Sequence, residues 1–266
     1  PVADAVVDIT FTFTVQDGTQ SSSAYVMTTS FANENDAPTV ANAQANFNQA
    51  EDAALSYQFA TNVFTDADSG DSCTYTSTQT DASALPSWLT FTAGTRTYSG
   101  TPLNANVGAL NVRTTCTDGS SAAVNDDFTI TVTNTNDVPT STSFTVTTAE
   151  DTEHVFTANE FGYADVDSGD ALVSAVLQAA SAGTLWVDDG GGGGTADDGV
   201  VNGNEAAVAD DDVVTAAELA KLSWDPAANA NGASYATFTY TLYDGDGYSS
   251  SYTATLTVTA VNDAPT

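Results

Sequence analysis

Positive charge is what this sequence has least of: 3 Lys and Arg and 1 His stand against 35 Asp and Glu, for a formal charge of −32 over 266 residues. So negative a surface repels nucleic-acid phosphates and anionic lipid headgroups, which argues against both as partners. It also repels itself, so the compact state leans on cations or salt. Long apolar runs are missing as well, and no stretch approaches the length of a membrane-spanning helix. No basic, apolar and small-residue sequence of the signal type opens the chain. Pro1 follows no initiator Met, so the sequence is expected to be a piece of something longer. Cysteine is limited to Cys73 and Cys116, too few to decide the compartment by number alone. GxSxG, HExxH and Gly-rich phosphate loops are all absent. The lone His154, in "EDTEHVF", has no nucleophile beside it and is expected on a surface strand. Acids abound, yet nothing singles out one pair for glycoside hydrolysis. The chain is expected not to be an enzyme.

What is present is alternation. "ITFTFTV" (9–15), "FTITVT" (128–133), "FTVTT" (144–148), "ATFTYTLY" (236–243) and "YTATLTVTAV" (252–261) place Thr or Ser between apolar residues with the period of two of half-buried strands. With 41% hydrophobic residues, such strands have enough material for packed cores. Helical periodicity is confined to "TAAELAKL" (215–222), where Thr215 is placed to cap a short helix and Glu218 to complete a capping box. Many short strands between Asp, Gly and Asn turns predict an all-β protein of sandwich type. Trp88, Trp186 and Trp224 are expected in the cores, a sugar-binding platform being the alternative.

Repeats define the organisation. "NDAPT" at 35–39 recurs as "NDVPT" at 136–140 and "NDAPT" at 262–266, shifts of 101 and 126 residues. "AED" at 50–52 and "DADSGD" at 66–71 return at 149–151 and, as "DVDSGD", at 165–170, both shifted by 99. Asp-Gly closes a Thr-rich strand at 17–18, 118–119 and 244–245. The expected division is therefore residues 1–38 as the last strands of a preceding sandwich, 39–139 as one full repeat and 140–266 as a second. The second repeat carries an acidic, Gly-rich insert at 187–212, expected as loop. Within it, "DDGVVNGNE" (197–205) fits only the second half of an EF-hand-type loop. Asp198, Gly199, Val201, Asn202 and Glu205 fall on the pattern, but Gly194 and Ala196 offer no side-chain oxygen at positions one and three. A flexible acidic loop is the preferred reading. If the insert binds a cation, Asp188 or Asp189 supplies the missing ligands.

Asp, Ser and Gly are good turn formers on any solvated surface. Their recurrence at matched offsets, with so few basic partners, favours a second role. Ca²⁺ takes six to eight oxygen ligands in flexible geometry, whereas Zn²⁺ would call for His or Cys. Unpaired aspartates gathered at one end of a sandwich suit a hard cation.

Asp-x-Asp-Ser-Gly, Asp-Gly after the penultimate strand and an Asn-Asp-x-Pro joint, together with "ALPSWLTF" (84–91) and "TRTYSGTP" (95–102), resemble the cadherin-like, dystroglycan-type tandem repeats of large bacterial RTX-type surface adhesins. The resemblance covers essentially the whole chain. It implies tandem Greek-key β-sandwich domains of cadherin/Ig-like type, joined end to end with Ca²⁺ at the joints. Carried over residue by residue, the first joint would use Asn35, Asp36, Asp66, Asp68, Asp71 and Asp118. The second would use Glu51 or Asp52 with Asn136, Asp137, Asp165, Asp167, Asp170 and Asp244. Glu150, Asp151 and Asp263 would await a following domain. Where animal cadherins carry an Asp-Arg-Glu motif this chain has "TRTYSG" (95–100), which leaves the number of ions per joint open. The cadherin arrangement also sets the strands of Cys73 and Cys116 side by side, implying a disulfide rather than two buried thiols, with Leu172 and Leu242 at the matching places of the second repeat. The expected function is a calcium-stabilised spacer in a secreted or surface-displayed bacterial adhesin, partnered by adjacent repeats. The alternatives are a subunit of a filament assembled by strand pairing and a carbohydrate- or protein-binding module.

Overall fold

The computed structural model describes residues 8–68, 70–187 and 207–262. The chain divides into two compact units, residues 1–135 and 136–266. The first opens with a hairpin of β1 (Ile9–Phe13) and β2 (Tyr25–Thr29), paired from Ile9↔Thr29 to Phe13↔Tyr25. Every residue of both strands is exposed, and Phe11, Phe13, Tyr25, Val26 and Met27 are each at least half exposed.

The rest of the first unit is a sandwich. Its strands are β3 (Thr39–Val40), β4 (Phe47–Ala50), β5 (Leu55–Gln58), β6 (Phe64–Thr65), β7 (Thr74–Gln79), β8 (Leu89–Thr92), β9 (Thr97–Gly100), β10 (Gly108–Thr117) and β11 (Ala123–Thr133). One sheet runs β4-β11-β10-β7, with β4 parallel to β11 and β7 at the edge; the other runs β5-β9-β8, and β3 pairs with β6. The Thr/apolar alternation is what makes this work: in β11 Phe128, Ile130 and Val132 are buried while the threonines between them are less so. Phe128 and Ile130 share one core with Leu55, Leu89 and Tyr98 from the other sheet. The Tyr98 hydroxyl lies 2.8 Å from Ser77 Oγ and 2.7 Å from Thr114 Oγ1, which keeps a buried polar atom satisfied. Trp88 packs, partly buried, against this core.

The second unit repeats the plan with additions. β12 (Phe144–Ala149), β13 (His154–Val155), β14 (Ser174–Leu177), β15 (Thr184–Val187), β16 (Asp212–Thr215), α1 (Ala216–Leu219), β17 (Leu222–Asp225), β18 (Gly232–Tyr243) and β19 (Tyr252–Thr259) follow in order. The sheets are β12-β19-β18-β14-β16 and β13-β17-β15, with β12 parallel to β19. Trp186 and Trp224 are buried, and Trp224 joins the core with Phe238, Tyr240 and Leu256. α1 is a single turn; Thr215 Oγ1 accepts from the Glu218 amide, and Glu218 Oε2 accepts from the Thr215 amide at 2.8 Å. His154 is half-buried on β13, its ring nitrogen 3.2 Å from Glu160 Oε1.

The insert differs at its described end from the loop expected of it. Ala207 bridges Trp186, the Val208 amide donates to the Leu185 carbonyl, and the Val208 side chain is buried in the core. β16 then adds a strand beside β14 that the first unit does not have. Val208, flanked by alanines and followed by Asp210, Asp211 and Asp212, is where the described end of the insert meets the core. The EF-hand-type positions Asp188, Asp189, Asp198, Gly199, Val201, Asn202 and Glu205 lie outside the described residues.

Gly100, at φ +155°, pairs with Leu89 across β8 and β9, and a Cβ there would overlap the Trp88 carbonyl. Gly100→Ala should therefore destabilise the first unit by more than about 2 kcal/mol, seen as an earlier unfolding transition in urea with the second unit's transition unmoved.

Candidate metal centre

The carboxylates converge through short turns that the sequence repeats. In the first unit the Asp68 amide donates to Asp66 Oδ1 at 2.9 Å, closing an aspartate turn. Asp118, between β10 and β11, accepts the amides of Ser120 and Ala122 on Oδ1 at 2.9 and 2.8 Å. These turns bring one oxygen each of Asp66, Asp71 and Asp118 within 4.8 Å of one another. The joint segment closes over them. The Asp36 amide donates to Asp68 Oδ2 at 2.7 Å, Asn33 Nδ2 to Asp68 Oδ1 at 2.5 Å, and Asn35 Nδ2 to Asp118 Oδ2 at 3.1 Å.

The second unit reproduces these contacts. The Asp137 amide donates to Asp167 Oδ2 at 2.6 Å, and Asn136 Nδ2 lies 3.4 Å from Asp244 Oδ2. The Asp167 amide donates to Asp165 Oδ1 at 2.8 Å, and Asp244 Oδ1 accepts the amides of Asp246 and Gly247 at 2.7 and 2.6 Å. Here the oxygens within 4.8 Å of one another belong to Asp165, Asp167 and Asp170. The Tyr163 hydroxyl reaches Asp165 Oδ2 at 3.4 Å, and its pKa is pushed up to about 12 by burial and by the Asp165 and Asp244 charges.

The remaining expected ligands sit elsewhere in each unit. Glu51 is 1% exposed; its Oε1 accepts the Thr135 amide at 2.8 Å, and its Oε2 is buried with no hydrogen-bond partner among the described residues. It pairs past the far end of β11, whose 11 residues separate it from Asp118 by about 35 Å at 3.2–3.4 Å per residue. Glu150 has the matching place, with Oε1 on the Val261 amide at 2.6 Å and Oε2 on Asn231 Nδ2 at 3.2 Å. Asp52 and Asp151 are left-handed, at φ 55° and 57°, in the turns that follow. Asp151 Oδ1 accepts the Asn229 amide at 2.9 Å. Asp263 lies outside the described residues. Asn33, Tyr163 and Asp246 were not anticipated. Asp246, in "DGDG", was open to notice as a second acid in the Asp-Gly turn, and Asn33 as the first residue of an Asn-x-Asn-Asp run that recurs at Asn134, shifted by the same 101 residues as the joint.

These sites fit a hard cation. The donors are all oxygens, and Asp66 Oδ2 is buried with no hydrogen-bond partner among the described residues, an arrangement that costs free energy unless a cation meets it. The electrostatics agree. Burial and then the charges of Asp66, Asp68 and Asp118 raise the Asp71 pKa above the usual carboxylate value. Burial and then Asp167, Asp165, Asp244 and Asp246 do the same to Asp170. Asp118 is lowered, chiefly by the Asn35 hydrogen bond. For Asp244 burial pushes upward, but the Gly247 and Asp246 amides and Asn136 together outweigh it. Cys73 and Cys116 form a disulfide, with Cα atoms 5.1 Å apart, two residues from Asp71 and Asp118 respectively.

A family model described as "Putative Ig domain" matches residues 37–149. No curated protein matches the chain. Among solved structures, the endo-fucoidan hydrolase MfFcnA4 of glycoside hydrolase family 107 is 18% identical at a TM-score of 0.35, over 97% of this chain and 35% of that one. Human mucin-like protocadherin EC1-2 is 16% identical at a TM-score of 0.45, over 84% of this chain and 98% of that one. The protocadherin GammaB4 extracellular domain is 16% identical at 0.43, over 95% and 39%. The chain thus spans about a third of the hydrolase's length. Likenesses this low carry no argument; the sandwiches rest on their own strand order. Among the described residues no helix is long and apolar enough to cross a membrane.

A raised folded-state pKa means that ionisation of Asp71 and Asp170 opposes folding, fully so above the folded pKa, and that the opposition fades as pH falls from there toward the unfolded value of 3.8. In chelator at neutral pH, Asp71→Asn and Asp170→Asn should each raise the thermal midpoint of the 266-residue chain. The gain should vanish in acid, as followed by circular dichroism.

Proposed function

We propose that this chain is a calcium-stabilised spacer segment of a secreted or surface-displayed adhesin, built from sandwiches that each carry a cation site where the chain enters. The observation that carries this reading is the duplicated cage. Twice, an Asn-Asp-x-Pro joint lays a backbone amide on the second aspartate of Asp-x-Asp-Ser-Gly and a side-chain amide on the Asp-Gly aspartate. Bound there, Ca²⁺ would supply positive charge and oxygen coordination. Asp66, Asp68, Asp71 and Asp118 would hold it in the first unit, and Asp165, Asp167, Asp170 and Asp244 in the second. Asn35, Asp36, Asn136 and Asp137 would tie the incoming segment to each site. Ion binding then favours the ordered entry over bent ones, which is what a spacer requires. No catalytic role is assigned. The disulfide accords with an oxidising exterior.

A second reading is favoured by the hairpin. β1 and β2 are exposed on both faces and, among the described residues, pair only with each other. Such edges invite strand addition, so assembly into a filament through this hairpin is the alternative.

Thermal unfolding in chelator, Ca²⁺, Mg²⁺ and NaCl tests the spacer. At a free-ion concentration a hundred times Kd, each site should add about 2.7 kcal/mol of stability. The expected result is a Ca²⁺-specific rise in melting temperature together with a longer particle in small-angle scattering. Equal effects of Mg²⁺ or NaCl, with unchanged scattering, would leave the acids as salt-adapted surface. A regular polymer in electron micrographs would favour the filament.

A further inference from the structure

We infer that the Cys73–Cys116 disulfide is a positioning element for the first unit's cation cage, holding the Asp71 loop against Asp118. The inference rests on the cation reading above and concerns what sets the geometry of one of its two sites.

The two units differ in a way that isolates the disulfide. In the first, the converging oxygens come from two separate segments, Asp66 and Asp71 from one loop and Asp118 from the turn after β10. In the second, all three come from the single loop of Asp165, Asp167 and Asp170. The strand register differs as well. Cys116, two residues before Asp118, faces Tyr75, which lies four residues after Asp71. Leu242, two residues before Asp244, faces Ala175, which lies five residues after Asp170. The second unit therefore has one residue more, about 3.3 Å of chain, between its loop and the paired strand.

Sheet topology explains why the first unit needs the link. β7, which continues from the Asp71 loop, is an edge strand that pairs, among the described residues, only with β10. Its counterpart β14 lies between β18 and β16 and is held on both sides. An edge strand pinned on one side frays more readily, and among the described residues the six pairs with β10 are its whole strand ladder, with Tyr75 packed against Phe59 and Phe64 and Ser77 bonded to Tyr98. The disulfide sits at the end of β7 nearest the cage and supplies covalently what β16 supplies by pairing. Leu172, at the matching place in the second unit, packs against the core with buried Leu242 and makes no such link.

The test is calcium titration calorimetry on the 266-residue chain with the second cage silenced by Asp165→Ala and Asp167→Ala. The oxidised chain is compared with Cys73→Leu/Cys116→Leu, each with and without Asp118→Asn. We expect the leucine pair to weaken the remaining site about ten-fold, and the loss from Asp118→Asn to shrink from about ten-fold in the oxidised chain to about two-fold without the disulfide. That coupling is what a merely structural link would not produce. Equal affinities, or losses that simply add, would overturn the inference. If the leucine pair unfolds the first unit, the same titrations are run on the phosphine-reduced chain. Unfolding by both routes would mark a purely structural brace and overturn the inference too. Absence of calcium binding in the oxidised chain with both cages intact would overturn the cation reading itself, and the inference with it.

Discussion

Repulsion between carboxylates that have almost no cationic side chains to meet is the constraint on which this structure turns. With 3 Lys and Arg against 35 acids, ion pairing is not a general solution. Arg113 and Asp127 form a bidentate pair across β10 and β11, and little else of the kind is at hand. The aspartates are instead managed by dipoles: backbone amides in tight turns and the side-chain amides of asparagines. Dipoles steer carboxylates and lower their cost without cancelling their charge. That leaves turns which hold several like charges within one small volume, a condition a bound cation would relieve and an apo protein must bear.

The sandwich makes the gathering possible. In a Greek-key arrangement the loops between successive strands collect at two ends, so segments 32 and 83 residues apart in sequence meet without long connections, as Asp36 meets Asp68 and Asn35 meets Asp118. The same geometry separates the two kinds of acid within a unit. The aspartate cage lies at one end and the buried Glu51 or Glu150 at the other, joined by the length of a strand. Burial of Glu51 with one oxygen unsatisfied costs stability in isolation. In the second unit that cost is met within the unit, where Glu150 Oε2 accepts from Asn231 Nδ2 at 3.2 Å.

Strands were legible because Thr/apolar alternation has one structural meaning, and the cages because each motif recurs at a matched offset. Even the one-turn α1 was visible in Thr215 and Glu218, since a capping box is a local signal. The insert was not legible: its glycine and acid content hid Val208, whose burial depends on a core assembled from distant strands. Asn33 was legible in principle, since Asn134 repeats it at the shift of the joint, but its contact with Asp68 reaches across 35 residues and no local pattern announces it. The one-residue register difference between β7–β10 and β14–β18 was also out of reach. Offsets in sequence count residues, whereas register is settled by which neighbours a strand has.

That last difference links the two departures of the second unit from the first. Adding β16 turns an edge strand into an interior one, and the unit with β16 is the unit without a disulfide. Two pairing partners hold β14 through hydrogen bonds on both sides, and leucines at the cysteine positions then contribute to packing instead. Where no second flanking strand exists, pairing with β10 on one side and packing would have to hold a six-residue edge strand beside a repelling cluster. A crosslink at that point acts where the repulsion is greatest and the sheet weakest. A disulfide placed in the middle of β7 would close a loop of similar size, and so constrain the unfolded chain about equally, but would leave the Asp71 end to fray. Position, rather than loop entropy, is therefore what distinguishes this pair.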